Sequence, residues 1–281
     1  MINNDCYEFK EFNFEDGFLD SFIDATYIIT MKNSSRHENI KKQLKDYHPT
    51  KKLYILCNYG FKNCKKILKD NSSSYDLIDA NFQVLYHAKK NNFNNILILE
   101  DDFIFDPSIK DKEIINEIKD LFLQKKNENF YFNLGPIPFI FYPTIKNIYK
   151  SILCYTSHAN IYNKKIIDNI IYKNVRDIKH WDVFLTFNYN NYFYKYPLCY
   201  QTFPETDNQK NWHFEYNNIF LDKGYKFIIQ IAINFFKILN LDIEPLPGYN
   251  NMYIFFFTLN YILFTFFILF LLFIIKNLYI I

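Results

Sequence analysis

The sequence predicts an α/β fold with a mostly parallel central sheet, followed by a C-terminal membrane-spanning helix. Three observations carry this expectation. Strand-like runs alternate with helix-like segments through the first half of the chain. One run, "NILILE" (95–100), is continuously aliphatic, as strands covered on both faces are. Residues 252–275 ("MYIFFFTLNYILFTFFILFLLFII") carry no charge, and a hydrocarbon core is crossed by roughly 20 apolar residues.

The elements follow in order. "TYIITM" (26–31) is the first strong strand, and in "KNSSRHENIKKQL" Ser35 and Glu38 have the spacing of a capping box before a helix marked by Ile40, Leu44 and Tyr47. A strand over 52–57 leads to a short basic helix expected around 61–69. Ser and Asn at 71–74 then cap a helix reaching about residue 91. After the 95–100 strand, Pro107 closes the segment, and a helix from Asp111 to about Gln124 turns Ile114, Ile115, Ile118, Leu121 and Phe122 inward. Beyond 129 the pattern loosens into an apolar, proline-punctuated stretch. A strand, turn and helix near 164–172 follow, then a short helix and strand in "HWDVFLTFNYNNYFYKYPLCYQ", and a polar loop after Pro204. Residues 225–240 read as an apolar helix able to lie on a bilayer before "PLPG" turns into the span.

Composition excludes some functions. A net charge of +2 with acids and lysines interspersed leaves no electrostatic footprint for nucleic acid. Abundant Asn, Ile, Lys, Phe and Tyr suggest AT-biased coding, so the aromatic content is given little functional weight. Cys6, Cys57, Cys64, Cys154 and Cys199 are odd in number and form no CxxC pair, which points to a reduced compartment without a structural zinc site. The polar, acidic start "MINNDCYEFKEFNFEDGF" is unlike a secretory signal. The anchor is therefore expected at the tail, with the soluble part in the cytosol.

The chemistry concentrates in "ILILEDDFIFD". Ligands of open α/β sheets bind beyond the carboxyl ends of the strands, and Glu100, Asp101 and Asp102 stand at such an end. Strand alternation would point Glu100 and Asp102 one way and Asp101 the other. Hard carboxylate oxygens there suit Mg²⁺ or Mn²⁺, which bind through one or two carboxylates plus substrate phosphates. Acids that merely finish a turn should be followed by polar residues, yet Phe103, Ile104 and Phe105 resume an apolar pattern. A strand-end phosphohydrolase would need an Asp-x-Thr-like continuation, which "EDDFIF" lacks.

"LEDDFIF" resembles the "LEDD" motif of glycosyltransferase family 25, the lipooligosaccharide and procollagen galactosyltransferase group. "YIITMKNSSRHENIKKQL", "CYTSHANIYNKKIIDNII", "HWDVFL" and "YPLCYQT" resemble further segments of that family in the same order, over about 26–210. The resemblance implies a GT-A-like nucleotide-sugar-binding domain over 26–215, after an extension at 1–25 and before a juxtamembrane segment at 216–250. It implies a hexosyltransferase, inverting as its relatives are, that moves a sugar from a UDP-sugar to a glycan, glycolipid or protein hydroxyl with Mn²⁺ or Mg²⁺. Carried over by position, Asp102 and Glu100 become metal ligands, Asp101, Ser35 and Arg36 meet the nucleotide, and Asp182 is the base.

His213, in the polar loop, is the favoured third ligand over His158 and His180. Trp181 and Trp212 are candidates for stacking on a sugar, with core packing the commoner use of Trp. The region after 204 does not match the family, which leaves open a degenerate transferase domain retained as a membrane-anchored binding or scaffold protein.

Overall fold

A computed structural model describes residues 4–203 and 219–278. Its α/β architecture is a nine-stranded sheet in the order β1-β3-β2-β4-β9-β6-β10-β8-β7. The strands are β1 (Tyr7–Asn13), β2 (Ala25–Met31), β3 (Lys52–Asn58), β4 (Asn95–Glu100), β6 (Phe130–Asn133), β7 (Ile137–Pro143), β8 (Ile148–Tyr155), β9 (Ala159–Asn163) and β10 (Asn190–Tyr194). A separate ribbon joins β5 (Ile104–Phe105) to β11 (Cys199–Tyr200). Strands β2, β3, β4, β6, β7 and β10 run in one direction; β1, β8 and β9 run against it. The parallel heart, β3-β2-β4, is set by pairs such as Tyr27↔Tyr54 and Thr26↔Leu97.

The aliphatic run of β4 is explained by cover on both faces. Ile96 and Ile98 enter one core with α2 (Ser73–Lys90), α4 (Lys164–Ile170) and α5 (Trp181–Asn188). Leu97 and Leu99 enter the other with α3 (Lys112–Gln124) and Ile40 of α1 (His37–Asp46). A strand with cover on one side only would have alternated with polar residues. The expected caps form at two helices: Ser72 accepts from the Tyr75 amide, and Asp111 accepts from the Glu113 amide.

Three sequence expectations are corrected. Residues 61–69 are turns rather than a basic helix. Gly60 adopts a left-handed φ of +79°, and Lys66 turns inward to Asp76, Asn58 and the Tyr7 hydroxyl, while Lys62, Lys65 and Lys69 remain exposed. Cys6 and Cys64 form a disulfide, because the β1–β3 pairing sets Tyr7 opposite Asn58 and the turn returns Cys64 to that edge. Such bonds are rare in reduced compartments, so the cysteines do not support a cytosolic soluble part. Residues 7–13, expected in an extension, are an edge strand of the sheet.

The Gly248–Leu278 helix includes one stretch, Gly248–Lys276, long and apolar enough to cross a membrane. Its first turns are docked rather than free. Tyr249, Met252, Tyr253 and Phe256 are buried against Ile137, Phe193 and Tyr200. Asn260, on the docked side, is also satisfied: its Nδ2 donates to the Phe139 carbonyl at 2.7 Å, and its Oδ1 accepts from the Phe141 amide at 3.2 Å. From Tyr261 onward the large apolar side chains are exposed. The preceding apolar helix, Ile219–Ile238, packs Phe236 on Phe203.

Gly135 ties these parts together. Its carbonyl accepts from the Tyr249 hydroxyl and from Thr156 Oγ1, and a Cβ at this position would lie 1.8 Å from the Cys199 carbonyl oxygen. Gly135→Ala must therefore separate β11 from the β6 exit. It should cost about 3 kcal/mol or more, a fall in Tm of roughly 6–12 °C, as measured by thermal denaturation of the detergent-solubilised chain. An unchanged Tm would contradict this packing.

Candidate active site

The site forms where β4 ends. The strand breaks at once: residues 101–102 are a turn, so the strand alternation expected for the triplet does not persist. Asp101 and Asp102 instead converge on one guanidinium, with Arg36 Nη1 at 2.9 Å from Asp101 Oδ1 and 3.2 Å from Asp102 Oδ2. Burial works against the charge of Arg36, but Asp102 and Asp101 overcome it and hold the group more firmly protonated than usual.

Asp101 is committed to the scaffold. Its Oδ2 accepts from Thr30 Oγ1 at 2.7 Å and Ser34 Oγ at 2.9 Å, which ties the end of β2 and the 31–36 loop to the end of β4. Asn39, one turn into α1, completes the clamp by donating to the carbonyls of Asp101 and Phe103. The capping box does not form: Ser35 is exposed, Arg36 occupies the N-cap, Ser34 Oγ takes the Arg36 amide, and Glu38 pairs with Lys41. Ser34 Oγ thus bridges the Arg36 amide and Asp101 just ahead of the helix.

Glu100 reaches the turn before β9. Its amide donates to the His158 carbonyl, and its Oε1 lies 3.1 Å from Ser157 Oγ. The same Ser157 hydroxyl lies 2.7 Å from Asp182 Oδ1, while Asp182 Oδ2 accepts from the Thr156 amide at 3.0 Å. A serine has one proton. It serves one carboxylate at a time, and the trio is fully paired only when the other carboxyl carries its own proton.

The electrostatics agree. Burial, then the charges of Asp102 and Asp182, push Glu100 up to about 8. Burial also raises Asp102 against the pull of Arg36, and burial raises Asp182. Thr156 holds this turn at a φ of +79°, a strained backbone for a β-branched residue. Its amide on Asp182, its hydroxyl on Gly135 and its carbonyl under Asn133 Nδ2 fix it there.

The arrangement can present negative charge to a cation. Asp102 Oδ1 is buried with no hydrogen-bond partner, and the charge of Asp102 raises the proton affinity of Glu100. Among the described residues, no three His, Cys, Asp or Glu side chains converge into a complete cage. This donor set fits an ion of the magnesium type, held by one or two carboxylates and completed by water and a substrate phosphate.

The other candidates are placed as follows. His158 is fully buried, its Nε2 3.2 Å from the Cys199 carbonyl, and burial pushes it down to about 4, so it is a neutral scaffold residue. His180 is the N-cap residue of α5. Trp181 is a core residue, its indole donating to the Tyr162 hydroxyl. His213 and Trp212 lie outside the described residues. Ser157 and Thr156 carry no motif of their own in the sequence; the small-residue stretch "TSHA" before a strand is the only signal they leave.

No protein-family model matches the chain, and no curated protein sequence does. Among solved structures, it is similar to a glycosyltransferase involved in the glycosylation of the major capsid of PBCV-1, with 13% identity over 52% of this chain and 62% of that one and a TM-score of 0.31. It is also similar to a mannose-1-phosphate geranyltransferase from Thermus thermophilus, with 8% identity over 60% and 72% of the two chains and a TM-score of 0.35. The match thus spans 62% of the first neighbour's length. At these TM-scores neither likeness decides an activity.

The raised carboxyls make stability pH-dependent with a definite sign. A group whose folded pKa exceeds its unfolded one binds more protons when folded, so stability falls as pH rises between the two. The cation-free chain should lose Tm from about pH 4.5 to about pH 8, and Glu100→Gln should flatten that slope. A slope unchanged by Glu100→Gln, in thermal melts across this range with chelator present, would contradict the shared-proton arrangement.

Proposed function

We propose that the chain is a metal-dependent glycosyltransferase that moves a hexose from a UDP-sugar to a hydroxyl acceptor. The observation that carries the reading is the buried carboxylate cluster at the carboxyl end of β4, with one Asp102 oxygen left unpaired. The order of family-25-like segments in the sequence agrees with it. Asp102 and Glu100 would hold Mn²⁺ or Mg²⁺, which supplies charge neutralisation to the departing diphosphate.

The chain's own residues then have separable tasks. Asp101, through Thr30, Ser34 and Arg36, fixes the turn that aims Asp102. Arg36 also offers positive charge beside the α1 N-terminus, where a phosphate is favoured. Asp182 is the base: as the acceptor oxygen bonds to the anomeric carbon and the carbon–oxygen bond to the diphosphate breaks, the acceptor proton passes to its carboxylate. Ser157 holds Asp182 in place and links it to Glu100.

A second reading, a transferase-like domain kept for binding, is favoured by the incomplete cation cage among the described residues. UDP release by the full chain, measured over a panel of UDP-sugars with and without Mn²⁺, separates the two. The enzyme reading expects Mn²⁺-dependent release, reduced to background in Asp102→Ala and by about 100-fold or more in Asp182→Asn. Absence of turnover with every donor, together with no UDP binding by calorimetry, would leave the binding reading.

A further inference from the structure

The acceptor can be narrowed from the geometry of the membrane helix. A cavity of about 500 Å³ lies between the helix and the domain. Its helix wall is one face, running from Asn250 through Tyr253 and Phe257 to Tyr261, about 17 Å at ~1.5 Å per residue. Its domain wall includes Asp106, Lys195 and Tyr200.

The two ends of the cavity differ. At one end, Asp106 has both oxygens engaged, by Ser108 and by the Tyr200 hydroxyl at 2.6 Å. Asp106 follows Asp102 along β5 by four residues, a chain reach of at most about 14 Å. That end therefore lies within about 14 Å of Asp102.

At the other end, the Tyr261 hydroxyl meets that of Tyr149 at 3.4 Å. Lys195 lies just past the β10 position that pairs with Tyr149, its amide donating to the Asn147 carbonyl. Lys195 is exposed and has no ion pair among the described residues.

The bilayer reaches this second end. Between Tyr261, the last helix residue described as touching the domain, and Lys276 lie about 15 residues, or ~23 Å, whereas the hydrocarbon core is ~30 Å thick. The core therefore extends to the level of Tyr261, where this end of the cavity meets the bilayer.

Resting on the transferase reading above, we propose that this cavity binds the acceptor, a membrane lipid with a phosphate-bearing head. Its acyl tail follows the exposed helix in the bilayer, Lys195 pairs with the phosphate, and the hydroxyl-bearing head extends along the Tyr253–Asn250 face toward Asp102. The exposed Lys195 ammonium, which lies over the Tyr196 ring, favours an anionic head over a zwitterionic one, and the apolar helix face favours a tail over free water.

The test offers the full chain in detergent an equal mixture of phosphatidylglycerol and phosphatidylcholine with identical acyl chains, and counts retained lipid by native mass spectrometry. One phosphatidylglycerol should be retained at least fivefold over phosphatidylcholine. Thr258→Trp, which fills the cavity from an exposed helix position, and Lys195→Glu should each reduce that retention at least fivefold. Phe264→Trp, lower on the exposed helix and outside the cavity, should not. Equal retention of the two lipids, undiminished retention in Thr258→Trp, or displacement by glycerol phosphate at equal concentration would overturn the proposal. UDP release by the wild-type chain scores the transferase reading separately: lipid retention without release counts against that reading alone, and release without selective retention counts against the cavity alone.

Discussion

Three consecutive acids at the end of a buried strand impose a constraint that the surrounding structure must answer. An uncompensated buried carboxylate costs several kcal/mol, and each of these finds a different answer. Asp101 is neutralised by Arg36 and two hydroxyls. Glu100 shares a serine with Asp182 and is driven toward its protonated form. Asp102 receives half of a guanidinium and keeps one bare oxygen. The incompleteness of the third answer is what makes the site a candidate for a cation rather than a closed structural network.

The supporting elements follow from that constraint. The 31–36 loop is tied down because Ser34 and Arg36 are needed by Asp101, and α1 starts where it does because Arg36 is spoken for. The strained Thr156 turn persists because three hydrogen bonds hold it, one of them on Asp182 and another on Gly135. Gly135 also accepts from Tyr249 at the root of the membrane helix. The carboxylate cluster and the helix root are thus joined through one peptide group, and the β5–β11 ribbon provides a second connection.

Much of this was legible in the sequence, for physical reasons. The continuous aliphatics of β4 announced a doubly covered strand, and the caps at Ser72 and Asp111 announced α2 and α3. The importance of the acids could be read from the apolar residues on both sides of them. Their geometry could not, since period-two alternation assumes a strand that stops at Glu100. Ser157 escaped because an isolated serine has no pattern until the fold sets it between Glu100 and Asp182. Cys6 and Cys64 lie 58 residues apart, so only the β1–β3 pairing reveals them as partners. The 61–69 segment read as a short basic helix because the acceptors that draw Lys66 inward come from β1, β3 and α2 together.

Our central proposal is that a cation held by Glu100 and Asp102 competes with a proton that burial favours on Glu100. Calorimetric titration of Mn²⁺ into the UDP-saturated full chain at pH 7, repeated in buffers of different ionisation enthalpy, counts the protons released on binding. The account predicts release of about one proton per ion, abolished by Glu100→Gln with binding retained. Mn²⁺ binding without proton release, or the absence of any Mn²⁺ binding, would contradict it.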